Sequence, residues 1–255
     1  MTDFSGKRVL VTGATRGLGY VVAKAYAERG ARVLATGRAG DRLAILENEM
    51  PGTGHQTYCA ELLDAEAVAK LVAFGLDKMG GFEVVFHAMG GGYGFRDALL
   101  DWRQLSLLHT VNLGIGAEIN RLLVPGMIER GSGNIVHVGS IASGEAVGSV
   151  GYNTVKAGLA AYVRSLGREL AGKGVVVTAI LPGAFFGPEN AFRRLEKDKP
   201  EVIDAFVTHR LPRGKVGDAS EMLDLIYLLS GPGASMMAGT CVAVDAGEGF
   251  AYMQE

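Results

Sequence analysis

Seven short β-branched runs, separated by longer helical stretches, restrict the fold of this 255-residue chain more than any other feature. "RVLVTG" (8–13), "ARVLAT" (31–36), "HQTYCA" (55–60), "EVVFHAM" (83–89), "GNIVHVGS" (133–140), "VVVTAIL" (175–181) and "CVAVDA" (241–246) read as strands. Several are apolar throughout rather than alternating, which predicts strands covered on both faces. Helix candidates begin near Leu18, Asp41, Asp64, Asp101, Tyr152 and Asp218. Alternation of this kind predicts βαβ units with right-handed crossovers, hence an α/β chain with a mostly parallel sheet and helices on both sides. No repeat or linker divides residues 1–255, so one domain is expected. The one long irregular stretch, 182–217, has the length of a segment that carries function or moves.

Composition narrows the class. Hydrophobic residues make up 48% of the chain, far from a disordered composition. A net charge of −2 gives no electrostatic reason to expect nucleic acid as a partner. Cys59 and Cys241 sit in apolar runs at no metal-ligand spacing, so buried, reduced thiols and no metal are expected. The start lacks the apolar core of a signal peptide, and the most apolar stretch is broken by Pro and Gly. Together these predict a soluble, cytoplasmic protein without a membrane span.

"VTGATRGLGY" follows the first strand and opens the first helix, placing Gly13, Gly17 and Gly19 in a Gly-x-x-x-Gly-x-Gly. Missing Cβ atoms let the backbone approach a pyrophosphate, while freed N–H groups and the helix dipole face the anion. Users of NAD place an acid on the ribose hydroxyls about 20 residues beyond the glycines. Here that neighbourhood holds Thr36, Gly37 and Arg38 and no acid. Arg38 and Arg16 are placed to pair with a 2′-phosphate through their planar forks. The preferred coenzyme is therefore NADP(H), with NAD(H) possible.

"GYNTVKAG" sets Tyr152 and Lys156 on one face of a helix. Alone, that spacing is as consistent with two surface side chains as with a catalytic pair. A phenol of pKa near 10 shuttles protons poorly at neutral pH, and a nearby ammonium favours its phenolate.

Taken together, these residues resemble the short-chain dehydrogenase/reductase family, and within it 3-ketoacyl-carrier-protein reductases, over nearly the whole chain. "TGATRGLG" is similar to the family's cofactor loop, "VNLGIG" carries Asn112, "GNIVHVGSIAS" presents Ser140, and "YNTVK" supplies Tyr152 and Lys156. "LPGAFFG" resembles the stretch bordering the nicotinamide, and "LPRGKVGDASEMLDLIYLLSG" with "MMAGTCVAVDAGEG" the C-terminal helix and last strand. The resemblance implies a Rossmann-like, doubly wound, seven-stranded sheet. It implies that Tyr152 is the general acid/base at a carbonyl or secondary alcohol, that Ser140 bonds the same oxygen, and that Lys156 holds the nicotinamide ribose. Asn112 would hold a water linking Lys156 to solvent. Cofactor contacts would come from Gly13, Thr15, Arg16, Gly17, Leu18 and Gly19, from Arg38, from Glu61 and Leu62 at the adenine, from His87, Ala88 and Gly90, and from Tyr152, Lys156, Pro182 and Gly183.

Three departures stand out. His87 replaces a usual Asn, and a hydrogen-bonding structural role fits it better than acid/base work. Gly90 keeps the close approach to the adenosine part. Ser140 precedes Tyr152 by one residue fewer than expected, with Ser143 as a weak substitute. Gly187 replaces a threonine that often bonds the carboxamide. The substrate should meet "GGGYGF" (90–95) and a lid over 184–217. Basic residues there suit an anionic substrate, although Glu189, Glu196, Asp198, Glu201 and Asp204 offset them as in an ordinary amphipathic segment. Open alternatives are a 3-ketoacyl-thioester reductase, a sugar-type ketone or alcohol oxidoreductase, and a non-catalytic NADP(H)-binding sensor or scaffold. The resemblance also implies a homotetramer built by the helices starting near Asp101 and Tyr152 and by the last strand.

Overall fold

In the computed structural model, which describes residues 3–250, all seven expected strands form one sheet. They are β1 (Arg8–Thr12), β2 (Arg32–Gly37), β3 (Gln56–Cys59), β4 (Val84–His87), β5 (Gly133–Val138), β6 (Val175–Pro182) and β9 (Cys241–Val244). Their order is β3-β2-β1-β4-β5-β6-β9 and every pairing is parallel. The doubly wound arrangement is thus fully rather than mostly parallel. Its order reverses between β1 and β4, and such a sheet opens a crevice there, at the carboxyl ends of the strands.

The pleat divides the core. Val9 and Val11 of β1 pack in one layer with α1 (Gly17–Glu28), α2 (Gly40–Glu49) and α9 (Leu223–Leu229). Leu10 points into the other layer, built by α3 (Ala65–Met79), α5 (Ile115–Glu129) and α6 (Val150–Leu170). Successive strand side chains alternate between faces, so helices on both sides make both faces of each central strand apolar.

Helix starts follow their caps. The Asp64 carboxylate accepts from the Ala67 N–H at the head of α3. Asp101 and Gln104 form a reciprocal capping box on α4 (Trp102–His109). The helix expected near Asp101 does not run uniformly, because a π-helical turn, Thr110–Gly114, joins α4 to α5. The helix expected near Asp218 begins as a 3₁₀ turn, Ala219–Met222, before α9.

Two expectations need correction. The stretch 182–217 is not irregular: it holds β7 (Phe185–Phe186), α7 (Ala191–Asp198) and α8 (Pro200–Arg210), and β7 pairs with β8 (Gly217–Asp218). Ile203, Leu211 and Val216 are buried there in a small core of their own with Phe186, Phe192 and Phe206. Cys59 is exposed and Cys241 half-buried, so neither thiol is buried as expected. Cys59 ends β3, the edge strand, where covering by neighbours runs out. Among the described residues no helix is long and apolar enough to cross a membrane.

Candidate active site

The chain turns from β1 into α1 through a loop that side chains would fill. A Cβ at Gly13 would lie 2.9 Å from the Ala88 carbonyl, beyond the end of β4, and one at Gly19 would strike the Gly13 carbonyl. Thr15 lies against Gly37 at the end of β2. The Leu18 side chain is buried in the core, which leaves its backbone for any ligand. No side chain caps α1. Its N-terminus, with the Gly-lined approach, fits the pyrophosphate of a dinucleotide.

Arginines gather beside it. Exposed Arg16 has its guanidinium held below its ordinary range, by partial desolvation first and then by the like charges of Arg194, Arg38 and Arg42. Such a cluster fits a phosphate. Arg38 is paired with Glu61 at 3.2 Å, so the cation expected at the 2′-phosphate and the acceptor expected at the adenine meet each other. Leu62, next to Glu61, is buried.

Ser140, Tyr152, Lys156 and Asn112 come together beyond β4 and β5. Ser140 follows β5, accepts from the Ala142 N–H at 3.2 Å, and holds down the pKa of the nearby Tyr152 phenol. The Ser143 Oγ is buried without a hydrogen-bond partner, on the Gly139 side. Lys156, one turn after Tyr152, is buried; its Nζ donates to the Val138 carbonyl at 2.9 Å and lies 5.6 Å from the Tyr152 ring centre. Asn112 sits in the π-helical turn. Its amide donates to the carbonyls of Leu108 and Gly91 at 2.9 and 3.0 Å, and its oxygen accepts from the Gly91 N–H at 3.0 Å. At Gly90 a Cβ would lie 2.7 Å from Asn112 Oδ1 and 3.2 Å from Lys156 Nζ. The closeness Gly90 permits in this structure is to those two side chains.

The electrostatics differ from the sequence expectation. Burial pushes the Tyr152 phenol up from its ordinary value, and only Ser140 opposes it. Lys156 does not bring the phenol down here. Burial lowers its own pKa to about 8.

Behind the site lies a polar network that sequence reading found only at His87. The His87 Nε2 meets Asn120 Oδ1 at 2.9 Å, and the Asn120 amide reaches His137 Nε2 and the Tyr162 hydroxyl, each at 3.1 Å. His87 and His137 are register partners on β4 and β5, and their rings stack 4.4 Å apart. Burial lowers His87 to about 4 and His137 well below its ordinary value. Both rings are therefore neutral at physiological pH, and His87 is held in a buried hydrogen-bond network. The signal for His137 was a polar side chain set between Val136 and Val138 in a buried strand.

Pro182 ends β6, and a Cβ at Gly183 would strike Glu248, a buried carboxylate that accepts from the Ala184 N–H. Desolvation raises the Glu248 pKa. Arginines in and around α7 are engaged within the chain. Arg193 pairs with Glu196 and covers Phe186, and Arg213 pairs with Glu221.

A family model described as enoyl-(acyl carrier protein) reductase matches residues 13–248. The chain is 28% identical over 253 residues to a 3-oxoacyl-(acyl-carrier-protein) reductase of Vibrio harveyi, covering 96% of this chain and 98% of that protein. It is 30% identical over 252 residues to 2-keto-3-deoxy-L-fuconate dehydrogenase of Xanthomonas campestris, covering 96% and 81%. Among solved structures, actinorhodin polyketide ketoreductase with NADPH superposes with a TM-score of 0.88 at 26% identity, covering 98% of this chain and 99% of that one. A fully parallel doubly wound sheet, a glycine-lined phosphate loop and a match spanning almost the whole sequence agree: the chain belongs to the short-chain dehydrogenase/reductase family.

Proposed function

We propose that this chain is an NADP(H)-dependent oxidoreductase that interconverts a carbonyl and a secondary alcohol, with Tyr152 as general acid/base. The observation that carries the reading is Lys156, buried one turn after Tyr152 with its Nζ 5.6 Å from the Tyr152 ring centre. When bound, the coenzyme supplies or accepts the hydride. The Tyr152 phenol gives its proton to the carbonyl oxygen in reduction and takes it back in oxidation. Ser140 donates to the same oxygen and stabilises the negative charge that develops there. Lys156, close to half-protonated near pH 8, would hold the nicotinamide ribose and supplies positive charge and a reservoir for the proton that Tyr152 passes on. Asn112 holds the Gly91 backbone, and so fixes the floor beneath Lys156.

The NADP(H) preference is supported by Arg16 and Arg38 beside the phosphate loop and by the NADPH-bound ketoreductase of the same fold. The names of the relatives support 3-ketoacyl-thioester reduction first. The 2-keto-3-deoxy-L-fuconate dehydrogenase favours a sugar-type substrate as the second reading. Residues 184–217 serve as the substrate lid, a role supported by their separate small core beside Gly183. A homotetramer is supported by the exposed Trp102, at 84%, and by Leu105 and Val150 on the helices expected to build it. Two free thiols support a reducing, cytoplasmic location.

Tyr152→Phe tests the reading. NADPH oxidation on a panel of 3-ketoacyl thioesters and sugar ketones should fall by about 10² to 10⁴-fold, the range of a lost general acid, while NADPH fluorescence titration remains as in the wild type. Turnover retained by the variant refutes the assignment. Coenzyme binding without turnover by the wild type on any carbonyl points to the sensor or scaffold instead.

A further inference from the structure

Residues 187–190 lie across the phosphate loop. The Gly17 N–H, at the first turn of α1, donates to the Pro188 carbonyl at 2.6 Å. Gly187 packs so closely that a Cβ on it would lie 3.3 Å from Gly17 Cα and 3.4 Å from Ala219 Cβ. Asn190 Cβ stands 3.4 Å from the place a Gly17 side chain would take. Between them Glu189 adopts φ +48, a left-handed conformation that non-glycine residues seldom take and that persists only where the surroundings hold it. What holds it is charge. The Glu189 carboxylate pairs with Arg42, and its carbonyl accepts from Arg194. Arg42 and Arg194 are two of the three arginines whose charge bears on Arg16. The chain thus lays a carbonyl oxygen on a helix N-terminal donor and a carboxylate among phosphate-binding cations, which are the two kinds of acceptor a dinucleotide phosphate provides.

We propose that residues 187–190 form a strap over the coenzyme groove and that Glu189, by competing for Arg42, sets both the affinity for the coenzyme and the preference for its 2′-phosphate. This inference rests on the NADP(H) reading above. One N–H proton serves one strong acceptor, so a phosphate that takes the Gly17 donor displaces Pro188. The Glu189 charge also repels any anion approaching Arg16. Glu189→Gln keeps the side chain's size, removes the repulsion and frees Arg42.

NADPH and NADH are titrated by fluorescence against wild type and E189Q without substrate. The pair is solvent-exposed, at 36% and 58% for Arg42 and Glu189, so its release is worth up to about fivefold in Kd. The expected result is NADPH binding about twofold to fivefold tighter in E189Q, with a smaller gain for NADH. General damage to the fold weakens both coenzymes and cannot give that pattern. If the wild type binds NADPH and E189Q binds it equally or more weakly, the strap is overturned and the coenzyme reading stands. If neither protein binds NADPH, the coenzyme reading falls, and the strap falls with it.

Discussion

Replacing His87 by Gln should flatten the acid side of the stability curve. His87 is buried and loses its proton at about 4 in the folded chain, against 6.5 when free. Burial is the leading cause, and the Asn120 hydrogen bond opposes it only in part. Between those two values the unfolded chain binds a proton that the folded chain refuses, so stability is complete above 6.5 and declines as pH falls toward 4. A gap of about 2.5 units at roughly 1.4 kcal/mol each amounts to about 3 kcal/mol once both forms are titrated. That is a large part of the ~5–15 kcal/mol by which folded domains are stable. His137, stacked on His87 and also pushed down by the Lys156 charge, adds to the decline in the same direction. Gln extends an amide nitrogen to about the reach of imidazole Nε2, preserves a donor for Asn120 and does not titrate. Urea unfolding at fixed protein concentration, from about pH 7 to about pH 4, compares slopes rather than absolute stabilities. The wild type should lose about 3 kcal/mol more than H87Q across that window. Parallel curves would refute the claim that burial of this imidazole is what acid must overcome.

Arg38→Asp breaks the Glu61 pair and sets a second carboxylate beside the ribose end. NADPH binding should weaken by about tenfold or more while NADH binding holds or improves, measured by titration, and an unchanged ratio counts against the phosphate assignment. Gly167→Ala in α6 should lower the melting temperature although alanine is the better helix former by about 1 kcal/mol. The new Cβ would stand 2.5 Å from Gly239 Cα, backbone that cannot yield cheaply, and overpacking of this kind costs about 1–3 kcal/mol. A thermal melt with an unchanged or raised midpoint would show that the helix and the 239 turn separate freely.

What was legible in the sequence was whatever depends on local pattern. The strands announced themselves because both faces of each central strand meet helices, and Asp64 and Asp101 marked helix starts because a carboxylate there satisfies free N–H groups. The glycines around Gly13 were legible because their spacing encodes backbone approach. What was not legible depends on non-local placement. Cys59 reads as core by its apolar neighbours, yet β3 is the edge of the sheet, a fact of strand order. His137 joins His87 only through the register of β4 on β5. The helices α7 and α8 hide behind Pro200 and a dense run of charge, and their apolar residues find a private core instead of the main one. The π-helical turn that carries Asn112 leaves no mark in composition, since it is a misfit in helix pitch rather than a break.

The Tyr152–Lys156 pair shows how far spacing alone can be taken. Four residues apart on one helix face puts an amine near a phenol, and the expected consequence is an acidified tyrosine. In the structure the same burial that brings them together pushes each toward its uncharged form, the phenol upward and the ammonium down to about 8. Lys156 spends its hydrogen bond on Val138, and Ser140 opposes the rise of the phenol only in part. Desolvation therefore outweighs mutual attraction in this pair as it stands. The site gains acid/base character only when something adds positive charge or hydrogen-bond donors near the phenol's oxygen. The sheet's order reverses between β1 and β4, beside the glycine loop and the arginines around Arg16. Added positive charge or donors near the phenol oxygen would oppose the burial that holds Tyr152 above its ordinary value, and the same charge would hold Lys156 lower still.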